Sequence, residues 1–178
     1  AGILFKDCDF CILEAGMGAQ FDATSSFKKT LSLFTPIGTD HIGMLGNNLS
    51  EISRTKLINM ASDSILNDDM NEVSAKIAKE IALEKKANLK FADYYLSEFD
   101  KFQIEKYIKK YGYADFQRSN LALSVAGAKF FGVNFDISKL PPLKIHGRVE
   151  KIAPNLTIDV GHNELAAEAI AREFAGQK

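Results

Sequence analysis

The amino-acid sequence predicts an α/β protein with a mostly parallel sheet. Three observations lead to this fold class: short apolar runs bounded by turn residues, amphipathic helical segments between them, and a restart of strands and helix after a proline pair. The chain has 178 residues, of which 46% are hydrophobic and 25% are charged, and its formal net charge is -1. This composition is typical of an ordinary globular protein rather than of a disordered or fibrous one.

Charge and hydropathy argue against two classes of partner. Acidic residues dilute the lysines, so no basic face with interleaved aromatic residues forms and no nucleic-acid partner is expected. No apolar run approaches the roughly 20 residues that span a bilayer, and residues 1–7 lack the pattern of a secretory signal. We therefore expect no membrane partner and a cytoplasmic location.

The first predicted strand is the apolar run Phe10–Leu13, which ends at Glu14 and leads into the turn-forming Gly16 and Gly18. Ligands of open α/β sheets bind beyond the carboxyl ends of the strands, so a carboxylate at this position can hold Mg²⁺. A solvated turn acid fits the same pattern, and the strand alone does not separate the two interpretations.

Cys8 and Cys11 form a C-x-x-C motif, but no second Cys or His pair follows at ligand spacing. On a strand, side chains three positions apart point to opposite faces, which suits neither a chelate nor a disulfide. We therefore expect two buried thiols rather than a zinc or redox site.

A second strand is predicted over Thr30–Thr35, and the loop that follows contains Asp40 and His41. The pattern then becomes helical, with Ser50 as a possible N-cap. This helix places Lys56 at its middle.

Three further helices are predicted. Apolar residues recur every four positions over Asn71–Lys86, which is the clearest of them. Most of Lys101–Lys110 is also expected to be helical. The third helix runs over Asp115–Phe131 and is closed by Gly132.

The Pro141-Pro142 pair is the best candidate for a domain boundary, because it stiffens the chain and stops a preceding helix. Beyond it, strands are predicted over residues 147–152 and Leu156–Val160, and an alanine-rich helix over Glu164–Phe174. This β-β-α piece is too small to bury a core of its own.

Four separated parts of the chain carry recognisable motifs. Leu13–Thr24 matches the pattern L-E-V-G-L-G-G-R-x-D-A-T, and Asp40–Lys56 matches D-H-x-x-x-L-G-x-T-x-x-x-I-x-x-x-K. Asn120–Ser124 matches N-x-A-L-A, and Gly147–Glu150 with Asp159–Asn163 matches G-R-x-E and D-G-A-H-N. In order and spacing, these motifs resemble those of the folylpolyglutamate synthase and dihydrofolate synthase family of the Mur ligase superfamily.

The resemblance implies an ATP-dependent amide ligase. The carboxylate of a folate or of dihydropteroate would be phosphorylated to an acyl phosphate, which the amino group of L-glutamate then attacks. Residues 1–143 would be the later part of the central ATPase domain of the Mur ligase type. Residues 144–178 would be the first β-α unit of a Rossmann-like, C-terminal glutamate-ligase domain.

The resemblance also implies roles for individual residues. Glu14 would hold the Mg²⁺ shared with ATP, His41 would hold a second Mg²⁺, and Lys56 would carry a carbamate. Asp22 and Ala23 would lie beside the pterin substrate. The positions that would contact ATP are Asn120, Arg148, Asp159 and His162.

The residues themselves leave simpler alternatives open. A lysine within a helix is usually a solvated charge, and a single loop histidine is seldom a metal ligand. His162 could equally be a turn residue whose ring is satisfied by the backbone.

The sequence departs from the family pattern at several places. Ala19 and Gln20 replace the second glycine and the arginine of G-G-R, and Val160-Gly161 replaces G-A in D-G-A-H-N. The phosphate-binding pattern G-x-x-x-x-G-K-S/T, which in the family precedes the Glu14 strand, does not occur. We therefore expect this chain to be the middle of a longer enzyme, to work with the N- and C-terminal portions of that enzyme, and to be inactive alone.

Two other functions fit the motifs less closely. The first is a Mur-type ligase of cell-wall precursor synthesis, for which the spacing from Leu45-Gly46 to Lys56 matches less well. The second is a non-catalytic binding or folding fragment, which would bind metal weakly and leave Lys56 as an unmodified surface amine.

Overall fold

The computed structural model describes residues 7–143 and 145–176. Its main sheet has three parallel strands in the order β1 (Leu31–Phe34), β2 (Asp63–Leu66) and β3 (Asn88–Phe91). Helix α1 (Leu49–Leu57) connects β1 to β2, and helix α2 (Glu72–Lys85) connects β2 to β3. The predicted α/β class with a parallel sheet is thus confirmed.

Two long helices and a smaller unit complete the architecture. The helices α3 (Glu98–Tyr111) and α4 (Asp115–Phe130) follow β3, and an antiparallel hairpin of β4 (Glu150–Ala153) and β5 (Leu156–Ile158) leads into α5 (Glu164–Glu173). Short 3₁₀ turns occupy Ala23–Ser26, Ala92–Tyr95 and Ile137–Lys139. None of the helices seen over 7–143 and 145–176 combines the length and apolar character that crossing a bilayer requires.

The core lies on both faces of β2. Successive strand residues point to opposite faces, and both Ile65 and Leu66 are fully buried. On one face Leu66 joins buried residues of the two crossover helices, among them Ile52, Leu57 and Ile81. On the other face Ile65 joins Leu123 and Ala126 of α4. The sheet is therefore sandwiched between helices, as parallel sheets generally are.

Side-chain caps fix where the helices begin. Asn71 accepts a hydrogen bond from the backbone N–H of Ser74 and so starts α2 where the sequence predicts it. In α3, Ser97 and Asp100 form a capping box. Gly132 adopts a φ of +69° just after α4, which agrees with its predicted closing role.

The start of α1 differs from the prediction. Asn48 rather than Ser50 is the N-cap, because its side chain accepts a hydrogen bond from the backbone N–H of Glu51. As α1 ends at Leu57, Lys56 lies in the last turn of the helix and not at its middle.

The predicted strand over Phe10–Leu13 is wrong. These residues have no regular secondary structure, and Ile12 is 95% exposed. An apolar run becomes a strand only when a neighbour completes its backbone hydrogen bonds, and no strand of the described residues pairs with this run.

The predicted burial of the two thiols is also wrong. Cys8 and Cys11 are both exposed and unbridged, because the segment that carries them does not enter the sheet.

The small unit after the proline pair matches the prediction in kind. β4 begins at Glu150, three residues later than predicted, whereas α5 nearly coincides with the predicted helix. None of the apolar side chains in β4, β5 or α5 is buried. This agrees with the expectation that the β-β-α piece lacks a core of its own.

Candidate functional site

The loop that follows β1, residues 35–47, carries two of the motif residues at the carboxyl end of the sheet. We call it the β1 loop. His41 adopts a φ of +49°, and its carbonyl oxygen accepts hydrogen bonds from the N–H groups of Met44 and Leu45. The Asp40 carboxylate accepts a hydrogen bond from the backbone N–H of His41 at 2.9 Å. The turn therefore fixes both residues at the edge where α/β proteins bind ligands.

The start of α5 lies against the β1 loop. The Asn163 side chain caps α5 by accepting a bond from the N–H of Ala166, and its amide donates to the Asp40 carboxylate at 3.2 Å. The Thr39 hydroxyl donates to the Glu164 carboxylate at 2.7 Å. Two segments that are distant in sequence are therefore joined by direct hydrogen bonds.

Gly38 permits this close approach. A Cβ atom at position 38 would lie 2.8 Å from the Cβ of Leu165, which is shorter than real Cβ contacts. Only a glycine therefore fits between the β1 loop and α5 at this point.

Asp40, His41 and His162 form a cluster of metal-ligand side chains. One potential ligand atom from each lies within 4.8 Å of the other two, and within 7–143 and 145–176 this is the one such group of three. The His41 and His162 ring centroids are 6.4 Å apart, and His41 Nε2 lies 3.7 Å from Asp40 Oδ2. Side chains from two segments that are distant in sequence therefore lie close together.

The electrostatics of the cluster favour an ionised Asp40. Partial burial alone would raise the pKa of this carboxyl group, but the Asn163 hydrogen bond, the His41 ring and the Lys56 ammonium together lower the pKa below its ordinary value. Lys56 is half-buried in the last turn of α1. The sequence-predicted lysine therefore acts electrostatically on the cluster.

The glycine turn after Glu14 is organised by Asp22. Its carboxylate accepts bonds from the backbone N–H groups of Gly16 and Met17 and from the N–H and hydroxyl of Thr24. These bonds, those from Thr24 foremost, lower the pKa of Asp22 from 3.8 to about 2. The turn also contacts the residues just after α1, because the Asn59 amide donates to the Ala19 carbonyl at 3.2 Å.

A cavity of about 280 Å³ lies between the glycine turn, the β1 loop and α1. It is mostly apolar, and of the predicted pair Asp22 and Ala23 only Asp22 lines it. Its lining residues are Met17, Gly18, Phe21, Asp22, Met44, Leu45 and Thr55.

A larger hollow of about 560 Å³ lies elsewhere, along the outer side of α2. It contains none of the motif residues, and its charged residues are a mixture of both signs, including Asp68, Glu72, Lys76 and Lys79. We regard the smaller cavity as the better candidate site, since it adjoins two of the sequence motifs.

The remaining predicted residues are placed differently. Glu14 is exposed and is not part of the Asp40–His41–His162 cluster. Arg148 is exposed in the turn before β4. Asp159 accepts hydrogen bonds from the N–H groups of Val149 and Gly161, so it organises its own turn.

Asn120 lies on α4 beside the carboxyl end of β2. Its side-chain oxygen accepts a long hydrogen bond, 3.4 Å, from the amide of the fully buried Asn67. Asn67 was not singled out from the sequence, because the short strand that it follows was not recognised.

Asp40 and Asn163 are part of the sequence motifs, but they are not among the predicted site residues. Their positions in D-H and in D-G-A-H-N, next to the two histidines, were the available signal.

Comparison with known proteins gives a consistent set of relatives. A solved folylpolyglutamate synthetase of Helicobacter pylori is 37% identical and has a TM-score of 0.73, and the match covers 97% of this chain and 43% of that one. A dihydrofolate synthase/folylpolyglutamate synthase of Buchnera aphidicola is 29% identical over 174 residues, which cover 89% of this chain and 41% of the relative.

A folylpolyglutamate synthase of Mycobacterium tuberculosis, solved as a complex with ADP, has a TM-score of 0.71 at 20% identity. The match covers 97% of this chain and 45% of that structure, and it supports the fold alone. The chain thus spans less than half the length of these relatives. No protein-family model matches it.

Proposed function

We propose, from the premise that this chain is homologous to part of the folylpolyglutamate synthases and dihydrofolate synthases, that it belongs to an ATP-dependent ligase that adds L-glutamate to a folate or to dihydropteroate. In the proposed reaction a substrate carboxylate oxygen attacks the γ-phosphorus of ATP and releases ADP. The glutamate amine then attacks the acyl carbon, loses a proton and displaces phosphate.

The convergence of motif residues is the single observation that carries this proposal. Asp40, His41 and His162 come together from distant motifs, and the positive charge of Lys56 helps to lower the pKa of the Asp40 carboxyl group. This arrangement supports a shared site at the carboxyl end of the sheet, where nucleotide ligands of α/β proteins bind. The electrostatic effect of Lys56 on Asp40 also means that an acidic group lies in the vicinity of this lysine, which favours the ligase over a non-catalytic fragment.

For the nucleotide, we propose that Asn120, Arg148, Asp159 and His162 face bound ATP. Arg148 is exposed and its guanidinium has the planar fork that recognises phosphate. Asn120 lies beside the carboxyl end of β2, and His162 lies in the cluster. Asp159 supports this surface by holding the turn in front of His162.

The proposed pair of Mg²⁺ ions, held by Glu14 and His41, fits these residues incompletely. Mg²⁺ prefers oxygen ligands, whereas the cluster around His41 offers two imidazoles and one carboxylate, and Glu14 is not among them. We therefore build no step of the reaction on the metal ions. Mg²⁺ would supply neutralisation of phosphate charge.

A carbamate on Lys56 is a further part of the proposal. Its formation requires the neutral amine to capture CO₂, and the product is an anion. Intact-mass spectrometry of the chain in bicarbonate buffer, compared with the Lys56→Met variant, tests it. We expect a mass increment of one CO₂ that the variant lacks.

For the folate, we propose that its pterin ring binds in the cavity of about 280 Å³ beside Asp22 and Ala23. The exposed apolar side chains of Met17, Phe21 and Met44 line it. A flat heteroaromatic ring matches such a mostly apolar pocket with few polar groups.

We also propose that the domain boundary falls between residues 143 and 144. The absence of buried apolar side chains from β4, β5 and α5 supports a separate unit that rests on the first one through the β1 loop.

The decisive experiment measures ATP-dependent incorporation of labelled glutamate into dihydropteroate, tetrahydrofolate and a UDP-linked peptide. We expect the protein that contains these residues to use one or both of the first two. Use of the peptide alone would instead support a cell-wall ligase. The 178 residues by themselves are expected to be inactive, because their sequence has no glycine-rich phosphate loop.

A further inference from the structure

We propose that the hydroxyl groups of Tyr107 and Tyr113 clamp residues 141–143, where the chain enters the unit of β4, β5 and α5, and that this clamp restrains the β4-β5 hairpin. We call residues 141–143 the proline segment, because they contain the proline pair. The β1 loop contacts α5 of the same unit, so the clamp would hold a different part of it. The clamp is a conformational device and does not rest on the proposed ligase activity.

Apolar packing ends just before the proline segment. Ile137 is fully buried, and Leu140 packs against the same apolar cluster between α3 and α4. Pro141, Pro142 and Leu143 are all exposed. Burial of side chains therefore does not fix these three residues, and their position depends on contacts of the backbone.

Two tyrosine hydroxyl groups make such contacts. The Tyr107 hydroxyl donates to the Pro141 carbonyl at 2.6 Å, and the Tyr113 hydroxyl donates to the Leu143 carbonyl at 3.1 Å. Because neither proline has an N–H group, the backbone of the pair can offer a partner only its carbonyl oxygens. Hydroxyl groups are donors that suit these oxygens. The two bonds therefore attach the segment to the helical pair at two points.

The two donors are themselves held in place. Gly112 ends α3 with a φ of +64°, and the N–H of Tyr113 then donates to the Ile108 carbonyl at 3.1 Å. The ring centroid of Tyr113 lies 5.8 Å from that of Tyr107, and the Tyr111 centroid lies 4.9 and 5.7 Å from these two. Tyr107 is only 2% exposed. The ring cluster thus leaves the donors little freedom to turn away.

The Tyr107 hydroxyl group keeps its proton. Burial and the neighbouring Tyr113 raise the pKa of Tyr107 to about 12. The group therefore remains a hydrogen-bond donor at neutral pH, whereas an ionised tyrosine would repel the Pro141 carbonyl oxygen.

The test uses Tyr→Phe variants, which keep the ring and remove only the hydroxyl group. Tyr107→Phe and Tyr113→Phe each remove one bond of the clamp, and the double variant removes both. Tyr111→Phe is the matched control. Tyr111 belongs to the same ring cluster, and over 7–143 and 145–176 its hydroxyl group makes no hydrogen bond.

Two measurements follow the clamp. The order parameter of the Leu143 backbone N–H, obtained from ¹⁵N relaxation, reports on the proline segment. The distance distribution between spin labels at Lys76→Cys on α2 and Lys151→Cys on β4, both exposed positions, reports on the hairpin. The labels are placed in a Cys8→Ser/Cys11→Ser background, because both native cysteines are exposed.

We expect the order parameter of Leu143 to fall from about 0.85 to below about 0.6 in the double variant, with smaller falls in the single variants. The width of the distance distribution should at least double. Tyr111→Phe should match the parent in both, and the order parameters of α1 and α2 should not change in any variant.

An unchanged order parameter or an unchanged width in the double variant would overturn the proposal. Equal changes in Tyr111→Phe would also overturn it, as would a comparable loosening of α1 and α2, because the hydroxyl bonds would then not be the cause. These readouts need no turnover, so their failure is distinct from a failure of the ligase proposal.

Discussion

At the scale of single residues, Asp22 shows how one carboxylate can organise a functional turn. It collects hydrogen bonds from two glycine-turn N–H groups and from both polar groups of Thr24. The turn it closes forms one wall of the cavity beside α1. The motif match pointed to Asp22 as a neighbour of substrate, whereas the structure adds a conformational role.

The folding stability of the chain should therefore depend on pH in part through Asp22. Its pKa in the folded chain is about 2, below the ordinary 3.8, so the ionised carboxylate stabilises the fold above about pH 4. That contribution is lost as the pH falls from about 4 to 2. In Asp22→Asn, urea unfolding measured across this range should depend less on pH than in the parent. The exposed Asp9→Asn is the control, and an equal change in both variants would contradict the assignment.

Residue patterns could predict which side chains carry chemistry but not which of them meet. His41, Lys56 and His162 were all singled out from motifs, and the structure places the first and last in one cluster with Lys56 acting on it. Glu14 was singled out as well, yet it lies outside that cluster. Its predicted position depended on a strand that does not form, because strand formation needs a partner that local sequence does not specify.

At the scale of secondary structure elements, the helices were predictable, as was the short strand β1, whereas the short strands β2 and β3 were not. α2 and α4 have a clear apolar period and sequence-encoded ends, so both were located within a residue or two. β2 and β3 have four residues each, and β3 mixes polar and apolar side chains. Such runs contain too few positions for a period to stand out, and their pairing is set by the helices between them.

The contact between the two crossover helices includes a buried hydroxyl pair. Ser53 Oγ of α1 and Ser74 Oγ of α2 are 2.7 Å apart, and both side chains are fully buried. Ser53→Ala leaves the Ser74 hydroxyl without its partner, so it should lower the free energy of unfolding by about 1–3 kcal/mol.

The double variant Ser53→Ala/Ser74→Ala removes both polar groups and should cost less than the sum of the single changes. Urea denaturation of the four proteins measures this coupling. Strict additivity would show that the two hydroxyl groups do not depend on each other.

A charged group ties α3 to α4. Asp100 is 10% exposed, accepts from the N–H of Ser97 within the capping box, and lies 2.7 Å from the ammonium of Lys129. Asp100→Asn should lower the free energy of unfolding by about 1.5–3 kcal/mol, because hydrogen bonds to a charged group are lost where water cannot replace them.

The matched control for Asp100 is Asp93, which pairs with Lys101 but is 60% exposed. Because exposed ion pairs contribute little, Asp93→Asn should change stability by no more than about 0.5 kcal/mol. Thermal and urea unfolding of both variants compare the two pairs. A similar loss in both would mean that burial is not what makes the Asp100 contact important.

At the scale of the whole molecule, the candidate site depends on how the unit of β4, β5 and α5 rests on the sheet. That unit has no buried apolar side chain in its own strands or helix, so its position is set by contacts with residues outside it. Among the described residues these contacts include the Thr39–Glu164 and Asp40–Asn163 hydrogen bonds and a bond from the Asp115 N–H to Glu173. His162 joins the cluster only while this arrangement is kept.

Gly38 is the position at which this arrangement can be tested most directly. In Gly38→Ala the added methyl group would meet the Leu165 side chain at 2.8 Å, so α5 must move away from the β1 loop. Overpacking of this kind costs about 1–3 kcal/mol. It should weaken the contact between the β1 loop and α5 and leave the main core unchanged.

We expect amide hydrogen exchange of residues 164–173 to become at least about tenfold faster in Gly38→Ala, while α1 and α2 keep the exchange rates of the parent. Thr35→Ala, an exposed change in the same loop, is the control. A change at one of the two histidines His41 and His162 should also no longer affect the imidazole NMR signal of the other, since the cluster spans this contact. Uniformly faster exchange across the whole chain would indicate general destabilisation, and it would refute the view that α5 is held mainly through the β1 loop.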